Sequence, residues 1–196
     1  VAGAMVCASA AQAQQASSVQ LYGLIDAGVE YVNHVGSGYS LTRMPTNTNT
    51  APSRLGFRGN EDLGNGLSAV FTMEMGLDPG NGVSNQGGRL FGRQAYVGLK
   101  SGLGTVSVGR IYTMTFWSGL NADIHGGGIY GTGSLDSYLP NARADNALGW
   151  MLNQSGWTLG ATYSLGRDAV NAGPSPAGTN CAGESGVDSS ACRQWS

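Results

Sequence analysis

SRLGFRGNEDLGNGLSAVFTMEMGL, residues 53–77, is the stretch whose reading decides the fold. Arg54, Gly56, Arg58 and Asn60 share one parity, and Leu55 and Phe57 take the other. After Leu63-Gly64-Asn65-Gly66, Leu67, Ala69, Phe71, Met73, Met75 and Leu77 form one face, with Ser68, Thr72 and Glu74 opposite and Val70 as an apolar exception. Side chains alternate across a strand, so the stretch predicts a hairpin with one apolar and one charged face. Asn65-Gly66 supplies the two residues most tolerant of positive φ, as a tight hairpin turn requires. A soluble sandwich would bury the apolar face as core, and only repetition along the chain separates it from a membrane barrel.

The pattern repeats. Val19–Asn33 alternates, with Val19, Leu21, Ile25, Ala27, Val29 and Tyr31 on one side and Gln20, Tyr22, Asp26 and Glu30 on the other. After the hairpin, strands are predicted at Leu90–Lys100, Thr105–Tyr112, Asp145–Asn153 and Trp157–Leu165. Short turns at 63–66, 101–104 and 155–156 alternate with long connections at 34–52, 78–88, 113–142 and 166–194. A sandwich gives no reason for that segregation, whereas a transmembrane barrel has short turns at one end and long loops at the other. The fold class expected is all-β, a transmembrane antiparallel β-barrel, of which seven strands are present. An odd number does not close a bacterial single-chain barrel, so further strands are expected C-terminally.

Composition agrees. There are 33 glycines, 11% charged residues and a formal net charge of −2, and no apolar run approaches the roughly 18 residues of a membrane helix. The charge gives no reason to expect nucleic acid as a partner. VAGAMVCASAAQA, residues 1–13, carries no charge and ends in Ala-Gln-Ala, as the remnant of a secretory signal does, with the barrel sequence expected over 14–196. Cys7 would leave with it. Cys181 and Cys192 then form an even pair in an exported loop and are expected to be disulfide-bonded, two free thiols being the alternative. No spacing suggests a metal site or another cofactor.

QLYGLIDAGVEY, SRLGFRGNEDLGNGLSAVFTMEMG and LFGRQAYVGLKSGLGTVSVGR, with the long connection that follows, resemble the trimeric general porins of Gram-negative outer membranes, those of Neisseria and Burkholderia relatives above all. The resemblance covers nearly all of residues 19–165. It implies a barrel of about sixteen strands with a water-filled lumen, assembled as a homotrimer among outer-membrane lipid and lipopolysaccharide, and passing ions and small hydrophilic solutes. It also implies that 113–142 folds into the lumen. By motif, Arg54, Arg93 and Arg143 become a basic ladder at the constriction, faced by Asp123 on the inserted loop, with Asp136 as second choice. The Pro-Glu-Phe-Gly-Gly of enterobacterial members is replaced here by Asp123-Ile124-His125-Gly126-Gly127.

Arg58, Asp26, Glu30 and Glu74 are expected on the lumen wall, because the opposite parity would meet lipid. Arg93 shares its phase with Ala95, Val97 and Leu99, which implies either a bulge or a subunit contact on that outer face, the second being preferred. Arg110 shares its phase with Val106 and Val108 and is assigned to a subunit contact. Enzyme readings lack a nucleophile beside a base, and His34 and His125 lie in different loops. A barrel enzyme, or an adhesin binding ligands through its long loops, remains the alternative to a pore.

Overall fold

The structure, a computed structural model, describes residues 17–45, 51–125, 131, 142–166, 187–190 and 193–196. The predicted signal remnant and both Cys181 and Cys192 lie outside the described residues, as does Asp136. Strands β1 (Ser18–Leu24), β2 (Glu30–Val35), β3 (Tyr39–Arg43), β4 (Arg54–Gly64) and β5 (Leu67–Gly76) come first. A distorted turn α1 (Asn85–Gly88) leads to β6 (Gln94–Ser101) and β7 (Gly104–Tyr112). Helix α2 (Met114–Ala122) opens the long insertion, and β8 (Arg143–Gln154), β9 (Trp157–Ser164) and β10 (Gln194–Trp195) follow.

Eight strands form one antiparallel sheet in the order β1-β4-β5-β6-β7-β8-β9-β10, while β2 and β3 pair separately. The decisive hairpin forms in the expected register, with Phe57 opposite Met73 and Arg58 opposite Thr72. Asn65 and Gly66 both sit at positive φ, 53° and 76°, and so do Ser155 and Gly156 between β8 and β9. Paired residues in a sheet project to the same side, so one polar face can be traced across the strands. It runs from Arg58 through Thr72, Tyr96, Gly109 and Ala147 to Ser164. The other face carries Val97, Leu99, Val106, Val108 and Leu148, all about half exposed or more.

Burial is inverted relative to a soluble domain. Among the described residues, four hydrophobic side chains are buried (Ile111, Tyr112, Ala144, Ala147) against nine polar or charged ones, including Glu74, Arg93, Arg110 and Arg143. A water-soluble sandwich would show the reverse. Apolar side chains out and hydrogen-bonded polar groups in is the arrangement a lipid-embedded barrel wall needs, and of the nine only the Thr162 hydroxyl lacks a partner.

Two expectations are corrected. The strand expected over Val19–Asn33 leaves the sheet after Leu24, and β2 then pairs with β3 inside what was expected to be a polar loop. Ser53 marks the departure: its Oγ accepts from Asp26 N–H at 2.8 Å and donates to the Asp26 carbonyl at 3.0 Å. Both backbone groups of Asp26 are thereby satisfied without a neighbouring strand. Glu30 accordingly sits in the β2–β3 hairpin rather than on the main wall, where its carboxylate pairs with Arg43 at 2.5 Å. The second correction concerns where β6 begins.

Candidate functional site

The chain arrives at β6 from residues 89–93, and the strand starts only at Gln94. Arg93 therefore precedes the alternation used to assign its phase. Its backbone N–H donates to the Glu74 carbonyl at 3.0 Å, and its side chain crosses to the polar face. The preferred explanation, an outer face contacting another subunit, is not needed for Arg93.

On that face Glu74 is the hub. Its Oε1 accepts from Arg93 Nε at 2.7 Å, its Oε2 accepts from Tyr22 Oη at 2.9 Å, and Arg54 Nε stands 3.8 Å away. Gly56 makes the Tyr22 contact possible: it lies opposite Tyr22 in register, and a Cβ there would come within 2.8 Å of the Tyr22 ring. Arg58 lies over the same ring, 5.0 Å from its centroid, and its Nε donates to Gln20 Oε1.

Tyr112 binds the second half of the cluster. Its Oη accepts from Arg93 Nη2 at 2.8 Å and from Arg143 Nη2 at 2.9 Å, and the Arg143 guanidinium lies 4.6 Å from its ring centroid. Arg143 Nε donates to the Arg93 carbonyl at 3.0 Å. Arg93 and Arg143 are 4% and 7% exposed, so these bonds supply the partners that buried charges require. The structure thus brings Arg54, Arg93 and Arg143 onto one side with Arg58 and Glu74: Arg54 and Arg93 flank the carboxylate, Arg143 joins through Tyr112, and Arg58 stands over Tyr22. The hub role of Glu74, and Tyr112 as shared acceptor, were not foreseen. The apolar-looking setting of Tyr112 beside Ile111 gave no signal for it.

The insertion starts at the same place. Thr113 Oγ1 accepts from Phe116 N–H and caps α2, and Thr113 N–H donates to the Ala142 carbonyl at 3.1 Å, drawing the two ends of the insertion together. Phe116 stacks on Tyr112 at 5.0 Å between centroids, and Trp117 meets Tyr112 edge-on at 5.4 Å. Met114 fills the space over Gly160, where a Cβ would meet its Sδ at 2.3 Å. Helix α2 therefore packs on the polar face at Tyr112 and Gly160. Asp123 follows the helix, and its Oδ1 accepts from His125 N–H at 2.9 Å, a local turn rather than a side-chain dyad.

Arg110 pairs with Ala95 in register, on the side of Val97 and Val108 as its phase suggested. Its guanidinium is nonetheless buried within its own chain: Nε donates to the Gly92 carbonyl at 2.7 Å and Nη1 binds Asp145 Oδ1. Arg89 Nη1 reaches both oxygens of Asp145, at 2.9 and 3.1 Å.

The polar wall carries the arginines, the opposite face is apolar, and helix α2 at the start of the insertion packs on the polar side. The family model described as Gram-negative porin matches residues 1–195. The chain belongs to that family. An outer membrane porin protein of Bordetella pertussis is 36% identical over 192 residues, 87% of this chain and 50% of that one. Outer membrane porin protein 32 of Delftia acidovorans is 41% identical over 110 residues, covering 56% of this chain and 30% of the other. Among solved structures, an anion-selective porin from Comamonas acidovorans matches with a TM-score of 0.65 and 32% identity, over 76% of this chain and 47% of that chain. An outer membrane protein of Vibrio cholerae shares the fold at a TM-score of 0.56 and 19% identity. The porin spans about half or less of the length of these relatives. Its fold is that of their antiparallel β-barrels, its place is the Gram-negative outer membrane, and its own sheet is open between β1 and β10.

Proposed function

We propose that the porin lines a water-filled channel for passive diffusion of ions and small hydrophilic solutes, and that it acts as a channel and not as an enzyme. The polar face is then the lumen wall, and Arg54, Arg58, Arg93 and Arg143 with Glu74 form one side of the waist. The observation that carries the reading is the row of guanidiniums along the polar face, with Arg54 and Arg93 on Glu74, Arg93 and Arg143 on Tyr112, and Arg58 over Tyr22. Charge placed there avoids the ~2–4 kcal/mol that an Arg facing lipid at mid-depth would cost. Fixed charges in a narrow, low-dielectric passage also act strongly on whatever passes.

The excess of positive charge gives an anion preference, in keeping with the anion-selective porin to which the chain is similar. Asp123 is the residue proposed for the opposing acidic side. Homotrimeric assembly fits the apolar outer face of β6 and β7, where Val97, Leu99, Val106 and Val108 offer a continuous surface to a neighbouring subunit or to lipid. Arg110 lies at the end of that surface with its charge held inside its own chain, and a subunit contact there would use its backbone and aliphatic stem.

Planar-bilayer recording on the full-length protein tests the proposal. Stepwise conductance with a reversal potential of anionic sign across a salt gradient is expected. The absence of steps at any voltage would remove the channel reading, and a cationic sign would remove the anion preference.

A further inference from the structure

The set of charges formed by Arg89, Arg110 and Asp145 has no part in the arrangement above, yet it touches the three segments that carry Arg93, Tyr112 and Arg143. Arg89 and Gly92 belong to the stretch that delivers Arg93. Arg110 lies two residues before Tyr112, and Asp145 two residues after Arg143. Asp145 accepts from Arg89 at 2.9 and 3.1 Å and from Arg110, and Arg110 in turn donates to the Gly92 carbonyl at 2.7 Å. Three chain segments are therefore tied together once through Arg93, Tyr112 and Arg143, and a second time through these partners.

The second tie has work that the backbone ladder leaves undone. Residues 89–93 precede β6 and lack its ladder to β7, with Arg93 N–H turned instead to Glu74 on β5. The β7–β8 ladder is itself interrupted between Gly109 and Ile111. Gly109 has φ 136°, and a Cβ on it would fall 2.2 Å from the Ala95 carbonyl; Asn146 opposite the irregularity has φ 47°. Pairing of β7 with β8 resumes at Ile111–Ala144 and Tyr112–Arg143, so at that level it is residues 89–93 that depend on side chains to be held against these two strands.

We propose that Asp145 is a positioning residue for the arginine cluster, fixing Arg93 and Arg143 at the waist by clamping residues 89–93 against β7 and β8, and thereby setting ion selectivity. The proposal rests on the channel reading above. It also differs in sign from a direct charge effect. If Asp145 acted only as a fixed negative charge, removing it would increase anion preference. If it positions the cluster, removing it lets Arg93 and Arg143 drift from the passage and anion preference falls. A guanidinium withdrawn from about 4 Å to about 8 Å from a passing ion, in water-like dielectric, loses about half its attraction, or about twofold in relative permeability for each arginine.

The test uses the full-length protein with two variants. Asp145→Asn combined with Arg89→Gln deletes one charge of each sign and leaves net charge unaltered, and Asp145→Glu keeps charge and acceptor. Folding is checked by the mobility shift between unheated and heated samples on SDS gels. In bilayers at low salt, the double variant is expected to lose about two- to fourfold of its anion-to-cation permeability ratio, the range for one or two displaced arginines. Asp145→Glu is expected to keep most of it. An unchanged or increased ratio in the folded double variant overturns the proposal, as does failure of both variants to fold, which would make Asp145 a requirement of folding. Wild-type protein that never conducts would instead overturn the channel reading.

Discussion

Replacing Tyr112 by Phe removes one oxygen and nothing else from the centre of the arginine cluster. The ring is 7% exposed, stacked on Phe116 and set edge-on to Trp117, and Phe fills the same space with the same contacts. The Arg143 guanidinium over the ring, 4.6 Å from its centroid, also keeps its partner face. What disappears is the acceptor for Arg93 Nη2 and Arg143 Nη2, at 2.8 and 2.9 Å. A hydrogen bond from a charged donor contributes about 1.5–3 kcal/mol, and a buried donor left without its acceptor forfeits that and some desolvation. Both guanidiniums retain other bonds, Arg93 to Glu74 and Arg143 to the Arg93 carbonyl, which limits the loss. The expected destabilisation is about 3 kcal/mol for the pair, taken as two bonds at the low end of the range. Guanidinium titration of the full-length protein in lipid vesicles, followed by tryptophan fluorescence, measures it. The midpoint should fall while the denaturant slope stays constant, since the surface exposed on unfolding does not change. A shift equivalent to less than about 0.5 kcal/mol, the scatter of a neutral surface substitution, would refute the view that Tyr112 satisfies two buried charges.

Further outcomes follow from the same cluster and its surroundings. Arg54→Gln with Arg143→Gln should move the reversal potential toward cations and Asp123→Asn toward anions. Both shifts should shrink as salt rises from about 0.01 M, where the screening length is roughly 30 Å, to about 1 M, where it is roughly 3 Å. Shifts of equal size at both salt concentrations would count against lumen charge as their cause. Gly109→Ala should fail to reach the folded gel form, because its φ of 136° and the Ala95 carbonyl both exclude a Cβ; wild-type yields of folded protein would show that the β7 irregularity is dispensable. A Cys181–Cys192 bridge, which we propose for the mature loop and which would be worth about 2–3 kcal/mol, predicts two extra alkyl labels after reduction. Equal labelling with and without reductant would dismiss it.

The wall strands were legible because each repeats a local period. Leu67 to Leu77 alternates without help from distant residues, and Asn65-Gly66 and Ser155-Gly156 announce their turns by residue type alone. Where the sequence misled, the cause lies in pairing rather than in periodicity. Val29 and Tyr31 continue the alternation of Leu21, so nothing local shows that the chain has left β4 and turned to β3. The phase of Arg93 fails for a related reason: alternation holds only between paired residues, and the strand begins one position later. Asp145 and Glu74 look like any wall carboxylate until the strands are laid side by side. Their partners at positions 22, 54, 89, 93 and 110 are collected by register and by the irregularity at Gly109, neither of which a single strand encodes. The expectation that Arg54, Arg93 and Arg143 belong together came from family resemblance, not from any spacing between them.

The hydrogen bond from Thr113 N–H to the Ala142 carbonyl, at 3.1 Å, has a consequence for how such proteins diversify. Beyond the packing of α2 on Tyr112 and Gly160, a chain excursion that leaves and re-enters at one point makes little demand on the strands beneath it. Its length enters the free energy only logarithmically, about 0.6 kcal/mol for each doubling. The stretch beyond α2 is therefore the exchangeable part: sequence can be inserted, deleted or swapped there while the register of β7 against β8 is kept. Under the proposed channel function, selection on what passes can act on that stretch, leaving assembly of the wall to older and slower constraints.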